Sequence, residues 1–363
     1  MKYTNLCAFF LQISIFYTTF AQNYRHMKKS IFLALCSFVL LSCSGDGRFL
    51  TSATGSIYEC LLVCDDNVTS PVKETLAEYM YGLPQSEPSL TISHIAPSMF
   101  DDRLKATRNI LQIDINPRQY TKVKASTAQN VWSKPQAYIR INAPSAEEFL
   151  AYWQENGETV REWFIREELS RQVRLYKGSK NDGAQDVLKR NRYKMSIPEE
   201  YLVIKDTTLI LAKRKVGVLW CCDNKGPMRK DIMLYTYPYT SQEQFSNDSI
   251  IAMRDRVVKE LVSAQVPGSY MATEVKYEPP VSRSVTALND TIGGFYAVET
   301  RGLWKIQDGE AMGGPFVSLT RLDQVNGLVV HAEGFIFAPN QKKRSAIRKM
   351  EAILYSLKMP NER

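Results

Sequence analysis

Apolar positions along residues 57–363 follow two spacings, one typical of strands and one typical of helices. Runs of apolar and β-branched residues, bounded by proline, glycine or polar turns, indicate strands. The predicted strands span residues 57–63, 90–95, 109–115, 137–141, 193–197, 207–213, 216–221, 232–237, 294–306, 316–322 and 328–337. Strands outnumber helices and several are joined as hairpins. The pattern therefore predicts an α+β fold class, with mostly antiparallel sheets and helices packed on one face.

Two helices are predicted in the first half of the chain. Ser70 and Pro71 are favourable as the cap and the first residue of a helix over 70–82. Ser145 opens a capping box, in which a serine and a glutamate three residues later bond to the first turn of a helix. The apolar residues after it predict a long helix over 145–176.

Asn156-Gly157 predicts a break in the long helix of the first half. Two more helices are predicted in the second half of the chain. Asn247 is a favourable cap for a helix that ends at Pro267-Gly268. Its apolar residues recur at helical spacing, and Arg254 is a charged residue within that apolar series. Residues 345–358 form an amphipathic pattern that predicts the final helix.

The polar, glycine-containing segment 177–186 is predicted to link two domains, an N-terminal α+β domain over 57–180 and a C-terminal α+β domain over 187–363. A weak internal similarity supports two related α/β halves. Ala137–Pro144 and Gly334–Pro339 each combine a strand, an Ala-Pro pair and a following helix.

The first 42 residues are predicted to be a leader segment. Met27 begins a basic stretch that precedes the apolar run 31–41, and we interpret Met27 as the true start. An 11-residue apolar run is too short for a helix that spans a bilayer, which needs about 20 residues, but it suits a secretory signal. A tandem leader that also uses residues 1–26 is the alternative.

The apolar run ends in Leu40-Leu41-Ser42-Cys43, which resembles the lipobox of bacterial lipoproteins. The resemblance implies that Cys43 is acylated and becomes the mature N-terminus, with residues 43–56 as a flexible, lipidated tether. Ser44 after the cysteine implies the outer membrane, on its periplasmic or surface face. A plain signal peptide that happens to contain Cys43 is the alternative.

Charge adds little once the leader is set aside. The chain has 46 Lys and Arg against 38 Asp and Glu, and four of the basic residues lie within residues 1–42. Their removal halves the net charge from +8 to +4, so nucleic acid is not expected as a partner. The hydrophobic content of 44% is ordinary for a globular protein and excludes a disordered chain.

Four cysteines remain after the leader and the lipidated position, namely Cys60, Cys64, Cys221 and Cys222. The spacing within each pair does not suit a direct disulfide. The preferred interpretation is that these cysteines are small buried apolar residues, or that one cross-link joins the two pairs. A zinc site built from all four is the alternative, although neither pair has the usual C-x2-C spacing.

No catalytic or cofactor motif is present in the sequence. Phosphate-binding, dinucleotide-binding, nucleophile-elbow and zinc-protease patterns are all absent. After the leader only His94 and His331 remain, which argues against a histidine-based metal site or triad. We therefore expect no cofactor and no metal, and the sequence identifies no catalytic residue.

Polar residues gather on two late predicted strands. Glu299 and Arg301 lie on one, and His331 and Glu333 lie on the other. If the two strands pair, all four side chains share one face and form a polar binding pocket, or an acid/base pair for hydrolysis. The alternative is the solvent-exposed face of an antiparallel sheet.

Three short patterns resemble an O-glycosylation sequon of exported proteins in one phylum of Gram-negative bacteria. They place the sugar on Thr207, Ser249 and Thr291. The alternative for each pattern is an ordinary turn or helix cap.

Several segments together resemble a family of uncharacterised bacterial envelope lipoproteins, a domain of unknown function. The segments are Leu40–Cys43, Trp132–Gln136, Arg254–Arg256, Pro267–Met271, Glu299–Trp304, Gly313–Phe316 and Glu333–Pro339. The resemblance implies location and architecture but no activity.

Two functions follow from these observations. The first is a non-enzymatic binding or assembly module at the membrane, with an envelope protein or glycan as partner and Trp132, Trp153 and Trp304 as candidate contact residues. The second is an envelope glycan hydrolase that uses Glu299 and Glu333 as paired carboxylates.

Overall fold

A computed structural model describes residues 50–178, 180–286 and 296–362. The predicted leader, Cys43 and Thr291 lie outside the described residues. From Thr51 onward the chain forms one compact unit, in which an N-terminal half (51–178) and a C-terminal half (180–362) each contain one large sheet. In the described ranges, no helix combines the length and the apolar composition needed to cross a bilayer.

The N-terminal half is built on a five-stranded sheet in the order β3-β2-β4-β7-β5. Strands β2, β3, β4 and β7 are parallel, and only the edge strand β5 is antiparallel. Its strands are β1 (Thr51–Ser52), β2 (Glu59–Val63), β3 (Thr91–Ile95), β4 (Asn109–Ile115), β5 (Lys124–Gln129), β6 (Ser133–Lys134) and β7 (Ala137–Ala143), of which β1 and β6 form a separate two-stranded pair.

Two helices cover one face of this sheet, α1 (Asp66–Leu76) and α2 (Ala146–Tyr176), and short 3-10 helices span Pro97–Met99 and Leu104–Ala106. Helix α1 begins four residues before the predicted Ser70 and ends at Leu76. Its buried residues, which recur every four positions and pack against the sheet, are Val68, Val72 and Leu76.

The predicted break at Asn156-Gly157 is wrong, because α2 is continuous. A Cβ on Gly157 would lie 2.8 Å from the Trp153 ring and 3.1 Å from Cγ2 of Thr75 on α1. The glycine therefore allows two helices to pack closely and does not end one.

The C-terminal half is built on an antiparallel sheet in the order β11-β13-β14-β15-β10-β9-β8, with β12 also paired to β13. The predicted hairpin at 207–221 is confirmed, and Ala212-Lys213 turns it with φ of +47° and +63°. The strands of the C-terminal half are β8 (Leu202–Leu211), β9 (Arg214–Asp223), β10 (Arg229–Pro238), β11 (Tyr270–Glu274), β12 (Val281–Thr286), β13 (Tyr296–Gln307), β14 (Gly313–Asp323) and β15 (Leu328–Phe337).

Helices cover both faces of this second sheet. The C-terminal half contains α3 (Asp182–Arg190), α4 (Asn247–Leu261), α5 (Arg344–Tyr355) and a 3-10 helix over Gln242–Phe245. Helix α4 packs on one face and α5 on the other, each within its own apolar cluster. Helix α3 occupies part of the segment predicted as a linker, because the Asn181 side chain accepts a hydrogen bond from the Ala184 N–H and caps it.

The predicted α+β class is confirmed, but the two halves differ in strand direction. The strand β7 before α2 runs parallel to its neighbour β4, whereas β15 before α5 lies antiparallel between β14 and β10. The two strand-then-helix segments that suggested related halves therefore belong to different topologies.

Candidate functional site

The polar residues predicted on the two late strands lie on opposite faces of the C-terminal sheet. Strand β14 separates β13 from β15, and its Ser318 lies opposite both Thr300 of β13 and Glu333 of β15. Residues paired across neighbouring strands share a face of the sheet, whereas consecutive residues on one strand alternate between the two faces. Thr300 therefore lies on the same face as Glu333, and its neighbour Glu299 points to the other face. The expectation that the four residues share one face is wrong. The face of α4 carries His331 and Glu333, and the face of α5 carries Glu299 and Arg301.

These side chains are also shielded from solvent. Glu299, His331 and Glu333 are exposed by 2%, 1% and 0%, and the Arg301 side chain by 11%. The alternative of a solvent-exposed sheet face is therefore wrong too, because α4 and α5 cover the two faces.

On the α4 face, Glu333 forms a buried ion pair with Arg254. The Arg254 Nε donates to Glu333 Oε2 at 2.9 Å and Nη2 donates to Oε1 at 2.7 Å. The Arg254 guanidinium also donates to Thr273 and lies 4.0 Å from the centre of the Phe316 ring. Burial raises the pKa of Glu333, but the charge of Arg254 and the hydrogen bonds outweigh it and hold that pKa below its ordinary value.

His331 lies beside this pair. One ring nitrogen is 2.9 Å from the Thr320 hydroxyl and the other is 3.4 Å from Glu333, while the ring stacks on Tyr235. Burial lowers the pKa of His331 below its ordinary value, so the imidazole is neutral at pH 7. The cluster holds α4 to the sheet and lines neither cavity described below.

On the α5 face, Glu299 has its acceptors occupied. It accepts hydrogen bonds from Arg283 at 3.0 Å, from Arg301 at 2.8 Å and from the Tyr355 hydroxyl at 2.7 Å. Burial raises the pKa of Glu299, but the two arginines lower it more, so the carboxyl is firmly ionised. A carboxylate held in this way does not act as a general acid at neutral pH.

The paired-carboxylate hypothesis needs two carboxyl groups that face one glycosidic bond. Glu299 and Glu333 point away from each other across the sheet, and arginines on different elements neutralise them. The geometry therefore gives no support to two-carboxylate chemistry at these residues.

The feature best suited to ligand binding is an apolar cavity of about 420 Å³ on the α4 face, beyond the C-terminal end of that helix. Ten of its fourteen lining residues are apolar, a composition typical of small-molecule sites. These ten are Trp220, Leu261, Val262, Ala264, Met271, Trp304, Ile306, Met312, Phe335 and Phe337.

The two tryptophans present apolar ring surface to this cavity. The Trp220 indole N–H donates to Asp231 at 2.9 Å, and the Trp304 indole N–H donates to the Ile336 carbonyl at 3.1 Å. Because both polar groups are satisfied within the protein, the rings are free to contact an apolar occupant.

One charged pair lies at the edge of the cavity. Arg229 donates to the Asp231 carboxylate through Nε at 2.9 Å and Nη2 at 3.0 Å. The Arg229 side chain is 45% exposed, whereas Asp231 is 1% exposed. The cavity thus offers an apolar interior and one solvent-accessible polar end, which suits an amphipathic molecule.

Sequence reasoning found only one residue of this cavity, Trp304. Of the other two candidate tryptophans, Trp153 is 3% exposed in the N-terminal core, and Trp132 packs edge-on against Phe100 and Tyr138. The remaining lining residues come from separate strands, from the end of α4 and the segment after it, and from the segment before β14, and no single local pattern connects them.

The four cysteines of the described chain are free and buried, as expected for small apolar residues, and no cross-link joins the two pairs. Burial raises the pKa of Cys60, Cys221 and Cys222 to about 12, so these thiols are unreactive at neutral pH. Within the described ranges, no three His, Cys, Asp or Glu side chains are grouped to hold a metal ion.

Two predicted glycosylation residues are in the described chain. Thr207 is half-buried on the edge strand β8, and Ser249 is half-buried in the first turn of α4, where its N–H donates to Ser246. Glycosylation at Thr207, Ser249 and Thr291 stays a prediction.

The fold and the cavity define an α+β protein whose two halves carry different sheets and whose C-terminal half has a cavity of ligand-binding size. In a comparison with protein families, each half of the chain matches a different family. Residues 53–177 match a domain of unknown function (DUF8532), and residues 180–356 match a second domain of unknown function (DUF4837). No curated protein is significantly similar to the chain.

Proposed function

We propose that this chain is a membrane-anchored lipoprotein of the bacterial envelope that acts as a non-enzymatic binding module for a small amphipathic ligand. The single observation that carries the binding role is the apolar cavity of about 420 Å³, with the Arg229–Asp231 pair at its edge. An acylated Cys43 in the outer membrane would keep the module close to lipids and other amphipathic compounds.

Binding is favoured over catalysis because the charged pair and the two indole N–H groups at the cavity are already paired. Arg229 neutralises Asp231, and both indole N–H groups have acceptors in the protein. The interior can therefore contribute mainly hydrophobic burial, worth about 25 cal/mol for each Å² of apolar surface removed from water.

The apolar interior of the cavity also indicates which kind of molecule binds there. An apolar interior recognises an alkyl chain or an aromatic ring better than a sugar, which would lose its hydrogen bonds to water there. We therefore favour a lipid-like molecule as occupant, and an envelope protein or glycan partner for an assembly role stays a prediction.

The neutral fluorophore N-phenyl-1-naphthylamine is expected to bind the fragment 51–363 in the cavity. Ala264, a half-buried lining residue after α4, is the position at which a larger side chain would fill the cavity. Because an indole there occupies the ligand volume, Ala264→Trp is expected to weaken binding by about tenfold or more, which corresponds to about 1.4 kcal/mol. Fluorescence titration measures the dissociation constant.

The matched control is Ala252→Trp, at an exposed position of α4 away from the cavity. It adds the same side chain and is expected to bind the fluorophore as the unchanged fragment does. Equal affinity of the Ala264→Trp and Ala252→Trp variants would rule out the cavity as the binding site.

A further inference from the structure

A second cavity, of about 220 Å³, lies between the two halves, and its charged lining residues are four arginines and four glutamates. Arg161 comes from α2 of the N-terminal half. Arg283, Arg301 and Arg348 come from β12, β13 and α5 of the C-terminal half. We call this the arginine cavity. It uses none of the residues that line the apolar cavity.

Buried positive charge exceeds buried negative charge here. Three guanidinium groups, those of Arg161, Arg301 and Arg348, have side-chain exposures of 8%, 11% and 5%. Two carboxylates, Glu299 and Glu351, are exposed by 1% each. Arg301 pairs with both carboxylates, and Arg348 pairs with Glu351 at 2.9 Å, so neither buried carboxylate is left for Arg161.

Arg161 is paired only with carboxylates at the surface. Glu78, Glu158 and Glu162 contact it but have side-chain exposures of 63%, 77% and 37%, so water screens their charges. Burial lowers the pKa of Arg161, and the positive charges of Arg348 and Arg283 add to this effect against the opposing charge of Glu162. The guanidinium groups therefore repel one another across the two halves.

Two buried donors at this cavity also lack an acceptor. The Nε–H of Arg161 and the Nε–H of Arg348 have no hydrogen-bond partner among the described residues. Both side chains are more than nine-tenths buried, and both line the cavity. A buried donor without a partner is costly, and an oxygen of an anionic ligand would supply the missing acceptor.

We propose that the arginine cavity binds a small oxyanion, a carboxylate or a phosphate group, between Arg161 of the N-terminal half and Arg348 of the C-terminal half. Guanidinium groups match the planar or trigonal oxygens of such groups. Because the two arginines belong to different halves, the bound anion ties the halves together and stabilises the folded unit.

The test is calorimetric titration of the full chain in detergent with sodium phosphate and with sodium glucuronate, each against sodium chloride at equal ionic strength. Saturable binding of phosphate, of glucuronate or of both is expected, and the two titrations distinguish a phosphate source from a carboxylate source. Arg161→Gln is expected to weaken that binding by about tenfold or more, since a charged hydrogen bond is lost.

Two further variants keep the result interpretable. Arg161→Lys retains the charge without the forked guanidinium, and is expected to fold and to bind more weakly than the unchanged chain. Arg256→Gln removes an exposed arginine of α4 outside this cavity and is expected to bind as the unchanged chain does. The proposal is overturned if neither anion binds beyond chloride, or if the Arg161→Gln and Arg161→Lys variants both retain full affinity.

Discussion

Replacing Arg254 with methionine is expected to lower the free energy of unfolding by about 3–5 kcal/mol, since it leaves one member of a buried ion pair without its partner. Arg254 and Glu333 have side-chain exposures of 0% each, and the carboxylate accepts two hydrogen bonds from the guanidinium. In the variant, Glu333 must stay charged in an apolar interior or take up a proton. Urea denaturation followed by circular dichroism measures the change.

The control for Arg254→Met is Arg256→Met, two residues along α4 at an exposed position. It is expected to change the free energy of unfolding by less than about 0.5 kcal/mol. The double variant Arg254→Met/Glu333→Leu removes both charges and is expected to recover much of the stability. A loss below about 1 kcal/mol in Arg254→Met would contradict a fully desolvated pair.

The same pair predicts a dependence on pH. The pKa of Glu333 is lower in the folded protein than in an exposed glutamate, so its stabilising contribution is present above the ordinary glutamate pKa. It is lost as the pH falls through the lowered folded value. In Arg254→Met this dependence is expected to disappear or to reverse, because burial alone raises the pKa of Glu333.

Cys43→Ala is expected to move the full chain from the membrane fraction to the soluble fraction. Each buried CH₂ of an acyl chain contributes about 0.8 kcal/mol, so two or more chains hold a protein at a bilayer and their loss releases it. Cell fractionation and immunoblotting of the two fractions measure the shift.

Cys36→Ala changes the same residue type within the apolar run of the leader and serves as the control. It is expected to leave the chain in the membrane fraction. If the Cys43→Ala variant fractionates with membranes as the unchanged chain does, the lipid anchor is wrong, while the cavity proposal is unaffected.

The local spacing of apolar residues was sufficient to predict many of the strands and helices. The alternation of apolar residues predicted strand 294–306 where β13 is Tyr296–Gln307, and helical spacing predicted 345–358 where α5 is Arg344–Tyr355. Alternation and helical period are properties of short segments, so they survive in any tertiary context that buries one face.

Strand order and strand direction could not be predicted in this way. The sequence does not reveal that β14 lies between β13 and β15, nor the register of these strands, and the register places Glu299 and Glu333 on opposite faces. Nor does an apolar run distinguish a parallel strand such as β4 from an antiparallel one. These features depend on contacts between distant segments.

One signal of the buried network was present in the sequence. Arg254 falls within the apolar series of its helix, and a charged residue on a buried helix face needs a buried partner. The identity of that partner, Glu333 on β15, follows only from the fold. The apolar cavity had no comparable signal beyond Trp304, since an unfilled volume is a property of packing.

The central claim, that the apolar cavity holds an amphipathic ligand, is tested most directly by native mass spectrometry of the full chain released from its own membranes in mild detergent. The unchanged chain is expected to carry a non-covalent adduct, and the Ala264→Trp variant is expected to lack it because the indole fills the cavity. An unliganded mass for the unchanged chain, or the same adduct on both proteins, would contradict the claim.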